Sequence, residues 1–338
     1  MPIATASQQG VKGVDLGTSR IVLATLNGQK VNFTPQLNAF VDIPFSRMTE
    51  QMLARENIFH QVEGAHIYAY GNRADEFAKF LEGDTRRPMQ SGLLNPTEPK
   101  NLQMIELLLG GLCGEASEGE KLCLSIPSAP AARASDLIFH ERSVQGVFEK
   151  LGYQAQSVNE GLAIVYSELK EVNFTGIGMS FGGGMCNMCV AYLGLPVLTV
   201  ATTRAGDYID QSAASVTGET PTTVRLHKEN SSDSGFTLDG ATGGSIDRAL
   251  SVYYGDVITT AVSALQAAMA ESKKLPRFAG PIPIVCSGGT AMAGNFLARL
   301  KWAIAKAELP VAISEVYLAK DPLNATAKGA LVGAMLNM

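Results

Sequence analysis

A chain of 338 residues, 46% hydrophobic and 17% charged, carries more apolar mass than one core usually organises, so two lobes of about 100–200 residues with a cleft between them are expected. Its net charge of −5 excludes the basic footprint of a nucleic-acid binder. Five scattered cysteines, Cys113, Cys123, Cys186, Cys189 and Cys286, argue for reduced thiols and against a disulfide framework.

The opening MPIATASQQG has neither a basic n-region nor an apolar h-region, so it reads as a loose tail without signal peptide or amphipathic anchor. No window reaches the ~18 uninterrupted apolar residues of a spanning helix, and a soluble cytoplasmic protein with no membrane partner is expected. Next, VKGVDLGTSRIVLATLNGQKVNF alternates with the strand period and contains Asn27-Gly28, a two-residue hairpin signal, which predicts a meander of three antiparallel strands. Residues 34–83 are irregular, with a strand at IYAYG and a helix at NRADEFAKFLEG, and look like a small insertion on the first lobe. From Thr97 the pattern becomes regular: a helix capped by Thr97, the strand KLCLSIP, a helix from Ala131 to Leu151, the strand YQAQSV and the helix NEGLAIVYSEL. That alternation is α/β layering, a sheet covered by helices.

Then TGIGMSFGGGMCNMCVAYLGLPVLTVATT gives three strands joined by tight turns, and RAGDYIDQSAAS opens a helix. GETPTTVRLHKENSSDSG is polar and ambiguous, while Ser245 to Ser272 is a long alanine-rich helix. PIPIVCSGGTAMAGNFLARL runs a strand into Gly288-Gly289 and on into a helix, and DPLNATAKGALVGAM is a small-residue helix able to pack its backbone closely. Cys186 and Cys189 form a CxxC, but residues three apart on a strand point to opposite faces and no second pair follows, so neither a metal nor a redox role is assigned. His60, His66, His140 and His227 lack ligand spacing and read as surface or satisfied histidines.

The triplet Gly182–Gly184 behind a strand lets an anion approach backbone N–H groups with no Cβ in the way, although a plain tight hairpin uses glycine too. DLGTSRIVLATLNG (15–28) and SFGGGMCNMCVAYLG (180–194) share one plan: polar residue, apolar residue, glycine turn, apolar strand, terminal glycine. This weak internal repeat suggests two related halves whose glycine turns face one cleft.

DLGTS, SFGGGMCN, NEGLA, CSGGTAMAGNF and NATAKGALVGA, in this order, resemble the five nucleotide-site segments of the actin, DnaK-chaperone and sugar-kinase superfamily, over roughly residues 11–336. RAGDYID is similar to the GGDxFD segment of bacterial actins of the MreB and MamK kind, GETPT to their GE(x)T and RRPMQSGLL to their NPLxDGVL. The resemblance implies an α/β, actin-like fold, a duplicated ribonuclease H-like pair of lobes with a nucleotide cleft between them. It implies lobe I at 1–158 with an insertion subdomain at 34–83, lobe II at 159–320 with a second subdomain at 205–275, and a C-terminal helix at 321–338 returning to lobe I.

The implied cofactors are ATP or ADP, with GTP as an alternative, and Mg²⁺. By the same resemblance Gly17, Thr18 and Ser19 from one hairpin and Gly182, Gly183 and Gly184 from the other clasp the phosphates through backbone N–H groups, with Ser180, Gly206 and Asp207 beside them. Gly288, Gly289 and Thr290 belong to the adenosine segment, and Gly218 and Glu219 border the adenine and ribose. Asp15 organises the Mg²⁺ shell through water, since magnesium dehydrates reluctantly, and Glu160 orients or activates the attacking water. Without the resemblance, Glu160 and Asp207 each read as a carboxylate complementing a helix dipole, and for Asp207 both readings stay open.

The family's second hairpin reads DIGGGT, whereas here Ser180 stands for the acid and Met185 for the threonine. A serine can still bond a metal-bound water but brings no charge, an outer-shell change that typically costs ~10–100-fold in metal affinity or activity. The resemblance therefore implies a cytoplasmic, actin-like filament protein whose partner is itself, with an unknown cargo or adaptor and slow or absent ATP hydrolysis. A second reading is a non-polymerising ATPase or pseudo-ATPase adaptor. A third, a small-molecule kinase, lacks an extra catalytic aspartate and a sugar-site insertion.

Overall fold

A computed structural model describes residues 10–74, 76, 85–129, 134–230, 237–239 and 243–336. The N-terminal tail, most of the helix expected at 72–83, and the first residues of the helix expected from 131 lie outside the described residues.

Strands β1 (Val11–Leu16), β2 (Arg20–Asn27) and β3 (Lys30–Leu37) form the antiparallel meander that the alternation predicts. Beyond β1 the sheet continues with two parallel strands, later in the chain and numbered β9 (Lys121–Ile126) and β10 (Gln154–Asn159), giving the order β10-β9-β1-β2-β3. The second half repeats this plan. Strands β11 (Gly176–Phe181), β12 (Cys186–Tyr192) and β13 (Leu195–Thr202) form an antiparallel meander, and β14 (Ile282–Ser287) and β15 (Ile313–Leu318) add in parallel beyond β11. Read from its other end, β15-β14-β11-β12-β13, the second sheet has the first sheet's order strand for strand, so the internal repeat is a duplicated topology. Strands β11 and β14 are buried along their whole length, as the centre of a sheet covered on both faces requires.

Strand parity then distributes the core. On β2, Ile21 and Leu23 join a cluster with α2 (Asn101–Cys113) and α3 (Ala134–Lys150), while Val22 and Ala24 face α4 (Glu160–Glu168) and the last helix, α9 (Ala325–Leu336). On β12, Cys186, Met188 and Val190 pack with α5 (Gly206–Thr217), α7 (Ser245–Glu271) and α8 (Phe296–Lys306), while Cys189 and Ala191 face α4 and α9. The CxxC pair is thus split between two cores, and burial pushes both thiols up to about 12. Helices α4 and α9 form a layer shared by the two sheets, and α9 is buried over most of its length, its one charged side chain, Lys328, being paired with Glu168 at 3.2 Å. Small residues allow this. A Cβ on Gly329 would overlap the Ala163 carbonyl, and one on Gly13 would overlap the Leu331 backbone.

A further sheet, β4 (Phe40–Pro44), β5 (His60–Glu63) and β6 (His66–Tyr70) in the order β4-β6-β5, carries α1 (Arg47–Arg55) around its own apolar cluster. Of these elements the sequence predicts only β6. The chain returns through a two-residue-strand hairpin, β7 (Met89–Gln90) and β8 (Leu93–Leu94). The helix expected at Thr97 begins instead at Asn101, because Asn95 Oδ1 accepts from the Thr97 N–H and hydroxyl at 3.1 and 2.9 Å and holds the segment in an Asx turn. The ambiguous polar stretch contains α6 (Pro221–Glu229), started by a Thr220 cap with proline at the first helical position. Among the described residues no helix is long and apolar enough to cross a membrane.

Candidate functional site

The β1–β2 and β11–β12 turns close with the same bond, Gly17 N–H to the Arg20 carbonyl at 3.0 Å and Gly182 N–H to the Met185 carbonyl at 3.1 Å. Both line one cavity of about 580 Å³. The turns meet at its edge, where a Cβ on Gly183 would come within 2.7 Å of Ser19 Oγ and one on Gly184 would run into Thr18 Oγ1, so glycine is what permits the approach. The Gly182 carbonyl accepts from Gly206 N–H at 3.0 Å and Thr290 Oγ1 at 2.9 Å, and the Gly183 carbonyl accepts from Asp207 N–H at 2.7 Å. The carbonyl edge of the second turn is therefore tied to the α5 N-terminus. Among the described residues the amide N–H groups of Thr18, Ser19, Gly183 and Gly184 have no acceptor. Two sets of unengaged amides at one cavity form a cradle for an anion.

Beneath the turns lie two carboxylates. Asp15 accepts from Ser125 Oγ at 2.8 Å, and burial raises its carboxyl against that bond and the charge of Arg20. Glu160 is the first residue of α4, whose N-cap Asn159 accepts from Gly161 and Leu162 N–H at 3.0 and 3.3 Å. Register places Ser180 opposite Asn187 on the face turned toward α4, so both reach Glu160. Asn187 Nδ2 donates to Glu160 Oε2 at 2.9 Å while its Oδ1 accepts from Ser128 N–H at 2.8 Å, and Asn159 Nδ2 donates to Ser128 Oγ at 2.8 Å. Burial first and the Asp15 charge second raise the Glu160 carboxyl well above the carboxylate range, and the Ser180 and Asn187 bonds oppose the rise. Two such groups side by side resist carrying two negative charges unless something positive arrives.

The donor set fits a cation held loosely. Among the described residues no group of three histidine, cysteine or acidic side chains is placed to enclose a metal. Asp15, beside the phosphate cradle, suits a magnesium ion that keeps its waters and takes its other oxygens from phosphates.

Of the residues singled out in the sequence, Asp15, Gly17, Thr18, Ser19, Glu160, Ser180, Gly182, Gly183, Gly184, Gly206, Asp207, Gly288, Gly289 and Thr290 all line this cavity. Gly288 has φ +96 and its Cβ would overlap the Phe181 carbonyl, so this turn needs glycine for both conformation and space. Gly218 and Glu219 do not reach the lining: Gly218 ends α5 in the left-handed region at φ +76, and Glu219 is exposed. The helix that follows them, α6, contributes Arg225, Lys228 and Glu229 to the wall, with Lys228 paired to Asp210 at 2.6 Å. The sequence reading missed these, and also Arg20, because α6 itself was not recognised and Arg20 lies one residue beyond the quoted motif. Across the mouth, Arg87 from the first lobe reaches Asp207 from the second at 3.1 Å.

A family model described as Volactin matches residues 11–334. Among solved structures, one described as a MamK double helical filament superposes with a TM-score of 0.72 at 18% identity, covering 96% of this chain and 98% of that one. MreB 5 of Spiroplasma citri bound to AMPPNP gives 0.64 at 12% identity, covering 98% of each chain. The ethanolamine utilization protein EutJ from Carboxydothermus hydrogenoformans gives 0.54 at 17% identity, covering 98% of this chain and 92% of that one. No curated protein matches the sequence. At these identities the likeness shows the fold, which is the actin-like two-lobe fold.

Proposed function

The chain belongs to the Volactin family, and from that premise we propose that it is an actin-like protein that binds a nucleoside triphosphate, ATP or GTP, between its glycine turns and assembles with its own copies into cytoplasmic filaments. The observation that carries the nucleotide reading is the pair of equivalent turns whose unengaged amides meet at one cavity. Structures of the same fold described as a filament and as bound to AMPPNP support the two halves of the reading. In this reading the lobes are 1–158 and 159–320, with 321–338 returning to the first, a division that the two duplicated sheets support.

Thr18, Ser19, Gly183 and Gly184 donate to phosphate oxygens, and Gly288, Gly289 and Thr290 lie against the nucleoside with the α6 side chains closing its far side. Mg²⁺, when bound, neutralises phosphate charge, and Asp15 would hold it through water. Glu160, oriented by Asn187 and Ser180, positions the attacking water and accepts its proton only when ionised. Ser180 contributes no charge where the DIGGGT motif of the resembling superfamily has an acid, which favours slow hydrolysis and supports a second reading, a nucleotide-dependent adaptor that does not polymerise.

Calorimetry with ATP and GTP, then electron microscopy after adding each with Mg²⁺, tests this. Heat of binding and polymers are expected. Absence of heat from both nucleotides overturns the reading, and binding without polymers at high protein concentration selects the adaptor.

A further inference from the structure

We propose that Arg20 is a direct phosphate ligand of the cleft, and that its charge lets a triphosphate bind with little dependence on a divalent cation. The inference rests on the nucleotide reading above and adds to it the residue that carries the positive charge.

The cations at the cavity and its mouth sort by what already holds them. Lys228 is paired with Asp210 at 2.6 Å, both side chains being almost fully buried. Arg87 is paired with Asp207, and Arg225 is engaged within the fold. Arg20 lines the cavity and forms no ion pair among the described residues. Its Nη2 donates to the Leu323 carbonyl at 2.6 Å, a neutral partner that fixes the guanidinium without cancelling its charge. A guanidinium has five donors in a planar fork, so one bond to Leu323 leaves a pair free to meet two phosphate oxygens.

Placement agrees with that role. Arg20 opens β2 directly after Thr18 and Ser19, whose amides are unengaged, and its carbonyl closes the turn by accepting from Gly17 N–H. The same side chain acts electrostatically on Asp15. The opposite hairpin carries Met185 at the position where Arg20 closes the first, and Ser180 where the first has Asp15. One half therefore holds both charges and the other neither. A cleft whose second hairpin lacks the acid that would complete the magnesium shell, and which has a fixed guanidinium beside its phosphate cradle, draws its anion attraction from the protein as much as from the ion.

The affinity for AMPPNP and for adenosine, measured by calorimetry with Mg²⁺ and in EDTA, tests this on the intact chain. Wild type is expected to lose less than ~10-fold on removal of Mg²⁺, the outer-shell scale. Arg20→Gln is expected to bind AMPPNP about 10–100-fold more weakly in EDTA, less so with Mg²⁺, and adenosine unchanged. Arg20→Lys, which keeps a charge but loses the fork, is expected to lose more than about threefold and less than the glutamine variant, and it carries the test should the glutamine variant fail to fold. Binding of AMPPNP in EDTA that disappears for wild type, or that stays within about threefold of wild type in whichever variant folds, overturns the proposal while leaving nucleotide binding intact. Failure of wild type to bind AMPPNP under either condition overturns the nucleotide reading itself.

Discussion

The contact most exposed to experiment is the ion pair that closes the mouth of the cleft. Arg87 Nη1 lies 3.1 and 3.3 Å from the two carboxylate oxygens of Asp207, and the side chains are 27% and 31% exposed. At an effective dielectric of about 20 the bare attraction at that distance is about 5 kcal/mol, but desolvation and the ordering of a long side chain offset most of it. Partly exposed pairs of this kind retain about 1 kcal/mol, which is roughly a fivefold effect on an equilibrium. Because Asp207 N–H independently anchors the Gly183 carbonyl, removing the carboxylate charge leaves the second turn in place. Arg87→Met and Asp207→Asn should therefore each speed release of a fluorescent ATP analogue about 3–10-fold in stopped flow, and the double variant should release it no faster than the quicker single. Raising the salt concentration should bring wild type toward the variants. Additive effects of the two substitutions, a coupling below about 0.2 kcal/mol, would show that the pair does not hold the lobes together.

Three further outcomes are expected. Burial lowers the His140 pKa from 6.5 to about 4, so the folded chain resists the proton that the unfolded chain takes up, and stability should fall by about 3 kcal/mol as pH drops from 6.5 to 4, with no further loss from this group below that. Urea midpoints across that range should show a shallower fall in His140→Gln, and an unchanged slope would refute the assignment. Gly329→Ala forces a Cβ against the Ala163 carbonyl and should cost about 3 kcal/mol, whereas Gly146→Ala, with open space around it in α3, should gain about 0.5–1 kcal/mol, both read from thermal unfolding. Ser180→Asp places a third carboxylate beside Asp15 and Glu160, so it should destabilise the protein in EDTA and raise Mg²⁺-dependent phosphate release about 10–100-fold, and release unaffected by the change would remove Ser180 as the cause of slow hydrolysis.

What could be read in the sequence is what is local. A glycine turn between two apolar strands is specified by neighbours within four residues, and both hairpins, the Gly288 turn and helix α4 fall where the sequence places them. Elements whose signal is tertiary were missed. Strand β15 is a short, half-exposed edge strand with little periodicity, and β4, β5 and α1 are too short for their patterns to stand out from loop. Helix α6 did carry a local sign, Thr220 followed by Pro221, that was outweighed by the polarity of the stretch. Without that helix the sequence names Gly218 and Glu219, which stay outside the cavity lining, and misses Arg225, Lys228 and Glu229, which form part of it. The Asn187–Ser128 link to Glu160 spans 59 residues between donor and acceptor and has no sequence signature at all.

The duplication also explains why the two halves can divide the chemistry. Asp15 pairs in register with Val22 on β2, and Ser180 pairs with Asn187 on β12, so equivalent positions are an acid beside an apolar residue in one half and two neutral hydrogen-bonding groups in the other. Glu160 lies between them and takes its bonds from the neutral half and its repulsion from the acid half. Its proton is therefore governed by the charge of Asp15, which Arg20 already offsets in part and a cation arriving with the phosphates would offset further. Without that cation burial favours the neutral carboxyl, a poor acceptor for a water's proton; with it the carboxylate would be favoured, and the Asn187 bond already points it. In the proposed reading this pair of carboxylates would couple binding to hydrolysis, and a neutral Ser180 would weaken that coupling at the metal while leaving the Asn187 bond that aims Glu160 in place.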